Sequence, residues 1–82
     1  MKILVTGGCG FIGSNFIIKQ IQTTENKILN LDKLTYAGNI ENLKSIDEHP
    51  NYQFVEGDIC NEQLVSENLF DFDPDAIVHF AP

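Results

Sequence analysis

Eighty-two residues make at most one small domain, which buries only about 60–65% of the surface its unfolded chain exposes. A hydrophobic content of 43% with 21% charged residues is that of a globular protein and excludes an obligately disordered tail. The net charge of −7 argues against nucleic acid or an anionic membrane as partner, because both require clusters of Lys and Arg. A phosphate ligand stays open, since backbone N–H groups can supply a local positive field.

Lys2–Thr6 (KILVT) is a continuous apolar run, as expected of a strand buried on both faces. It meets glycine at position 7, too early for the roughly 7–15 apolar residues of a signal peptide or the ~20 of a membrane span. A cytoplasmic protein is the expectation. A helix is predicted from Phe11 to about Thr23, with Ile12/Phe16 and Ile17/Ile21 at i,i+4 spacing forming a broad apolar face. Lys27–Asp32 (KILNLD) reads as a second strand. Asn39 is placed to cap a helix carrying Ile40, Leu43 and Ile46 that Pro50 ends near His49. Tyr52–Glu56 is the third strand. Asn61 caps a further helix with Leu64, Val65 and Leu69 facing inward, closing near Asp71–Pro74. Ala76–Phe80 is the fourth strand.

Short apolar runs alternating with helical patterns are the signature of βαβ units on a parallel sheet. The fold class expected is α/β, a partial Rossmann fold of about four parallel strands in the order 3-2-1-4. The ligand crevice then lies at the carboxyl ends of strands 1 and 4.

Between the first strand and the first helix lies Thr6-Gly7-Gly8-Cys9-Gly10-Phe11-Ile12-Gly13. The context of strand, glycines and helix marks a dinucleotide site. The glycines fit Gly7-x-x-Gly10-x-x-Gly13, and Gly8/Gly10/Gly13 also fit G-x-G-x-x-G. Either way, one glycine turns the chain, one admits a pyrophosphate to the backbone, and Gly13 lets the helix pack closely on the sheet. A P-loop is excluded, because Ser14-Asn15 follow Gly13 where Lys and Ser/Thr would be required.

Asp32 ends the second strand, 19 residues beyond Gly13. A carboxylate there accepts from the adenosine ribose hydroxyls and repels a 2′-phosphate. The sequence contains no Arg to receive that phosphate, although Lys33 is adjacent, so NAD is preferred to NADP. Gly57-Asp58-Ile59 follows the third strand, where an adenine would lie. His79 sits in an apolar strand with no base or nucleophile beside it, and is read as structural. His49 is assigned to the surface, and Asp71, Asp73 and Asp75 to a solvated turn rather than a cation loop. Cys9 and Cys60 form no C-x-x-C and are read as reduced, passive thiols. No metal site is expected.

The stretch Thr6–Gly13 (TGGCGFIG) resembles the fingerprint of the extended short-chain dehydrogenase/reductase superfamily, which includes nucleotide-sugar epimerases, dehydratases and decarboxylases. Leu31–Asn39 (LDKLTYAGN) resembles the dTDP-glucose 4,6-dehydratases more specifically, as do Val55–Ile59 (VEGDI) and Asp75–Ala81 (DAIVHFA). The resemblance implies a cofactor map. Gly7, Gly10, Phe11, Ile12 and Gly13 would hold the pyrophosphate of NAD. Asp32, Lys33, Leu34 and Thr35 would surround the adenosine ribose, and Asp58 and Ile59 the adenine. Phe80 and Ala81 would begin the loop over the nicotinamide-side ribose. Enzymes of this kind are lyases that convert dTDP-glucose to dTDP-4-keto-6-deoxyglucose, a deoxysugar precursor, and act as homodimers.

The family pattern continues past Ala81 with A-E-S-H-V-D, where this sequence has Pro82. Residues 1–82 are therefore expected to form a truncated NAD-binding domain without its substrate domain. The Tyr-x-x-x-Lys pair of the family has no counterpart, since Tyr36 is followed at the fourth place by Ile40 and Tyr52 by Glu56. No catalytic residue is assigned, and the isolated chain is not expected to turn over. The alternatives are a segment of another nucleotide-sugar epimerase or decarboxylase, a free-standing NAD- or ADP-ribose-binding module, and an interaction fragment whose exposed sheet edge pairs with another chain.

Overall fold

A computed structural model describes residues 1–34 and 39–80. Four strands, β1 (Lys2–Thr6), β2 (Lys27–Asp32), β3 (Tyr52–Glu56) and β4 (Ala76–His79), form one sheet in the order β3-β2-β1-β4. Every pairing is parallel, with Val5 beside Asn30 and Val78, and Thr6 beside Leu31 and His79. The predicted strand order and class are those observed. Two helices, α1 (Phe11–Thr23) and α2 (Glu62–Phe72), make crossovers, and among the described residues the third carries a 3-10 helix (Ile40–Leu43).

The alternation of side chains along β1 and β2 splits the core into two. Ile3, Val5 and Ile28 pack with Ile17 and Ile21 of α1 and with Leu43, Ile46 and Tyr52 on one face. Leu4, Leu29 and Leu31 pack with Leu64, Val65, Leu69 and Phe72 of α2 on the other. Each fully buried Ile or Leu contributes about 1.5–3 kcal/mol by leaving water, so the central strands β1 and β2 carry most of the fold's stability. The outer strands are half exposed, and Ile77 of β4 and Phe70 of α2 stay open at 58% and 86% of their surface.

Three sequence expectations change. On α1 the buried set is Gly13, Ser14, Ile17 and Ile21, while Ile12 is exposed. The α-helix expected from Asn39 to His49 is one 3-10 helix followed by turns. Its bonds run over three residues: Asn42 N to Asn39 O, Ile46 N to Leu43 O, and His49 N to Ile46 O. Leu43 and Ile46, three residues apart, both enter the core cluster with Ile17 and Tyr52, and at three residues per turn they stack directly one above the other. The fourth strand ends at His79, one residue short of Phe80, although Phe80 N still donates to Thr6 O at 2.8 Å.

α2 is capped as expected at its start, where Asn61 Oδ1 accepts from Leu64 N at 3.1 Å. It ends on Asp73 in the left-handed region at φ 51°. Glycine adopts that conformation without Cβ strain and adds no negative charge to a helix C-terminus. Asp73→Gly is therefore expected to stabilise the chain by about 0.5–1 kcal/mol, read as a higher midpoint in a thermal melt.

Candidate functional site

At the carboxyl ends of β1 and β2 the glycine loop is bound down to the sheet by three consecutive residues of β2. Gly7 N donates to Leu31 O at 3.0 Å. Gly8 N donates to Asn30 Oδ1 at 3.0 Å, and Cys9 N to Asp32 Oδ2 at 2.8 Å. Gly10 N bonds back to Gly7 O at 3.4 Å. Gly7 takes the positive φ of 71° that makes the turn, which decides between the two glycine readings in favour of Gly7 as the turning residue. Gly13 is buried against the loop backbone, with Gly7 O and Gly8 Cα within 3 Å of where a Cβ would stand.

Gly10 is the N-cap of α1 and, having no side chain, makes no cap hydrogen bond; no acidic residue occupies the first turn. The other two helical segments are closed by Asn39 and Asn61. The N–H groups of Phe11, Ile12 and Gly13 thus have no intrahelical acceptor, and the helix dipole adds a partial positive charge there. An end of this kind can accept an anion such as a phosphate group. Phe11 and Ile12 flank it with large exposed side chains, 78% and 70% open.

Asp32 is buried at the crevice floor. Besides Cys9 N, its carboxylate accepts from Leu34 N at 2.8 Å through Oδ1. That turn holds Leu34 at φ 57°, a conformation a branched side chain rarely adopts. Among the described residues the Cys9 and Leu34 N–H groups are the two donors to the carboxylate, which has about four acceptor positions. Lys33, just after β2, pairs with Asp58, just after β3, with Nζ 3.2 Å from Oδ2. The Cys60 N–H and then the Lys33 ammonium hold the Asp58 carboxyl below its usual range. Ile59 lies beside it, partly exposed. Phe80 packs on Phe16 at a ring separation of 5.5 Å and lies next to Gly13. The structure therefore brings together the glycine loop, Asp32, Lys33, Leu34, Asp58 and Phe80 along one edge. Thr35 and Ala81 lie outside the described residues.

His79 is exposed on the edge strand, its Nδ1 sharing a hydrogen bond with the Thr6 hydroxyl. Cys9 is fully buried in the loop and Cys60 is exposed; both are free thiols. Burial, with the nearby Asp32 carboxylate, pushes the Cys9 thiol up to about 11. At pH 8 one thiol per chain is expected to react with a disulfide reagent in the native state and two in denaturant, because thiolate is the reactive form. Two fast-reacting thiols in native protein would contradict the buried placement of Cys9.

Sequence reasoning missed Asn30 and Tyr52. The signal was present: an Asn within KILNLD, a strand otherwise apolar from Ile28 to Leu31, is a buried polar group that must find partners.

The sequence profile of the GDP-mannose 4,6 dehydratase family matches residues 4–82. This chain belongs to that family. It is 46% identical over 81 residues to a dTDP-glucose 4,6-dehydratase of Salmonella typhimurium, covering 99% of this chain and 22% of the relative. The crystal structure of a dTDP-glucose 4,6-dehydratase from Bacillus anthracis in complex with NAD superimposes with a TM-score of 0.96 at 52% identity, over 99% of this chain and 26% of that one. A UDP-Glc/GlcNAc 4-epimerase from Campylobacter jejuni is more distant, with a TM-score of 0.86 and 34% identity over 98% of this chain and 24% of that one. The chain thus spans about a quarter of the length of these family members.

Proposed function

We propose that this chain is the NAD-binding portion of a dTDP-glucose 4,6-dehydratase-like enzyme. The observation that carries the reading is the open N-terminus of α1, uncapped and free of acidic side chains, facing the crevice that also holds the buried Asp32 carboxylate. Three N–H groups without a partner among the described residues suit a pyrophosphate, and a carboxylate with further acceptor capacity suits ribose hydroxyls. Phe11 and Ile12 shield the phosphates from water. Lys33 and Leu34 border the ribose, with Thr35 next in sequence, and Asp58 and Ile59 border the adenine. Phe80, followed by Ala81, begins the wall on the nicotinamide side. Bound NAD supplies a hydride acceptor; what this chain's residues do is bind, orient and screen it.

The greater identity to the dehydratase than to the epimerase supports the dehydratase assignment, and with it dTDP-glucose as substrate and dTDP-4-keto-6-deoxyglucose as product of the whole enzyme. Residues 1–82 then form part of a dinucleotide domain, the sugar being held by a separate domain, in a cytoplasmic homodimer. Among the described residues no helix is long and apolar enough to cross a membrane. General acid–base chemistry requires a titratable group within reach of substrate, and the chain alone is expected to bind without turnover.

The test is a thermal melt followed by circular dichroism, with and without NAD. A ligand that binds only the native state at ten times its Kd adds about 1.4 kcal/mol, which raises the midpoint of a domain this small by roughly 5–10 °C. NADP at the same concentration is expected to give a smaller shift. A cooperative melt that NAD leaves unmoved would remove the reading.

A further inference from the structure

Asn30 is fully buried in the middle of β2, yet its amide is fully engaged. Its Oδ1 accepts from Gly8 N at 3.0 Å; its Nδ2 donates to Tyr52 Oη at 3.1 Å and lies 3.5 Å from Cys9 Sγ. Gly8 is drawn down so far that a Cβ on it would stand 2.4 Å from Asn30 Oδ1. The bonds from Gly7, Cys9 and Gly10 leave all four amides from Gly7 to Gly10 satisfied inside the protein. The loop is therefore a mount and offers a ligand no N–H from these four residues. Donors to a phosphate must come from Phe11, Ile12 and Gly13, whose positions depend on where the mount is held.

We propose that Asn30 is a positioning residue for the phosphate cradle: by taking the Gly8 N–H it fixes the loop that aims the first turn of α1, without touching the ligand. This rests on the dinucleotide reading above. A leucine at position 30 would match the volume but leave the Gly8 N–H without an acceptor in a site closed to water. An unmet buried donor drives local rearrangement, because it gives up its water without a replacement.

Two measurements test it. In ligand-free protein the Gly8 amide is expected to exchange with solvent at least about 10-fold more slowly than an exposed loop amide. Asn30→Leu abolishes that protection and leaves the Leu29 and Leu31 amides protected. In titrations, Asn30→Leu loses roughly 10-fold or more in affinity for ADP, while adenosine, lacking phosphate, binds within about 2-fold of the parent. Ile21→Ala serves as a destabilised control with its cavity far from the loop, and keeps its preference for ADP over adenosine. Asn30→Ser, whose hydroxyl is too short to reach Gly8, carries the same comparison if Asn30→Leu does not fold. Unaltered ADP affinity in the Asn30 variants, equal losses for ADP and adenosine, or an unprotected Gly8 amide in the parent each overturn the positioning role. A parent that binds neither ADP nor NAD overturns the dinucleotide reading and this proposal together; binding by the parent with indifferent Asn30 variants overturns this proposal alone.

Discussion

Gly13→Ala is expected to lower NAD affinity by at least about 100-fold and to destabilise the chain by roughly 1–3 kcal/mol, the usual cost of overpacking a close contact. The added methyl would stand 2.7 Å from Gly7 O and 2.9 Å from Gly8 Cα, with Phe80 Cδ2 at 3.3 Å. The first two are backbone atoms and have no rotamer into which to retreat. The loop cannot yield either, since Leu31 O, Asn30 Oδ1 and Asp32 Oδ2 hold three consecutive amides of it. The helix must move instead, carrying with it the N–H groups of Phe11, Ile12 and the substituted residue. Charge-assisted hydrogen bonds contribute about 1.5–3 kcal/mol each, and the loss of two accounts for the factor of 100. Calorimetric titration with NAD and a parallel thermal melt read both effects. Binding within about 3-fold of the parent would show that the helix does not have to shift.

Asp32→Ala is expected to reduce NAD affinity by roughly 10- to 100-fold and to erase most of the preference for NAD over NADP. Two effects of the carboxylate disappear together. Its Oδ2 and Oδ1 accept from Cys9 N and Leu34 N, both at 2.8 Å, so removal leaves two amides short of acceptors at the crevice floor, at about 1–3 kcal/mol for each buried one. Its charge also opposes a 2′-phosphate at the ribose position. With the carboxylate gone, the adjacent Lys33, tied to Asp58 but with its side chain 63% exposed, is free to turn towards that phosphate. The ratio of NADP to NAD dissociation constants measures the second effect separately from the first, because lost stability weakens both ligands alike. An unchanged ratio would place the ribose away from Asp32.

Gly7, Gly10, Gly13 and Asp32 are legible in the sequence because their spacing follows from one strand, one turn and one helix in succession, with the next strand returning alongside. Asn30 is legible only as an anomaly. Its partner Gly8 is 22 positions earlier, and nothing local says which loop amide a buried Asn will take. Leu34 is similar: a branched residue at positive φ is held by a carboxylate already tied to the neighbouring strand's loop. The segment after Asn39 marks another limit. Its apolar residues at every third position are compatible with an α-helix in outline, and the 3-10 geometry becomes evident only when Leu43 and Ile46 have a core surface on which to align.

The sequence by itself determined the strands, the two α-helices and the parallel order, because hydrophobic period and the rule for doubly wound sheets act over short stretches or on the chain as a whole; the family was legible through the resemblance of Thr6–Gly13 and Leu31–Asn39 to its motifs. Only the tertiary structure decided which loop amides remain for a ligand. That outcome depends on the register of β1 against β2, where Val5 lies beside Asn30 and Thr6 beside Leu31. The register brings Asn30, Leu31 and Asp32 beneath the glycine loop to satisfy its N–H groups, and leaves the first turn of α1 as the open positive end.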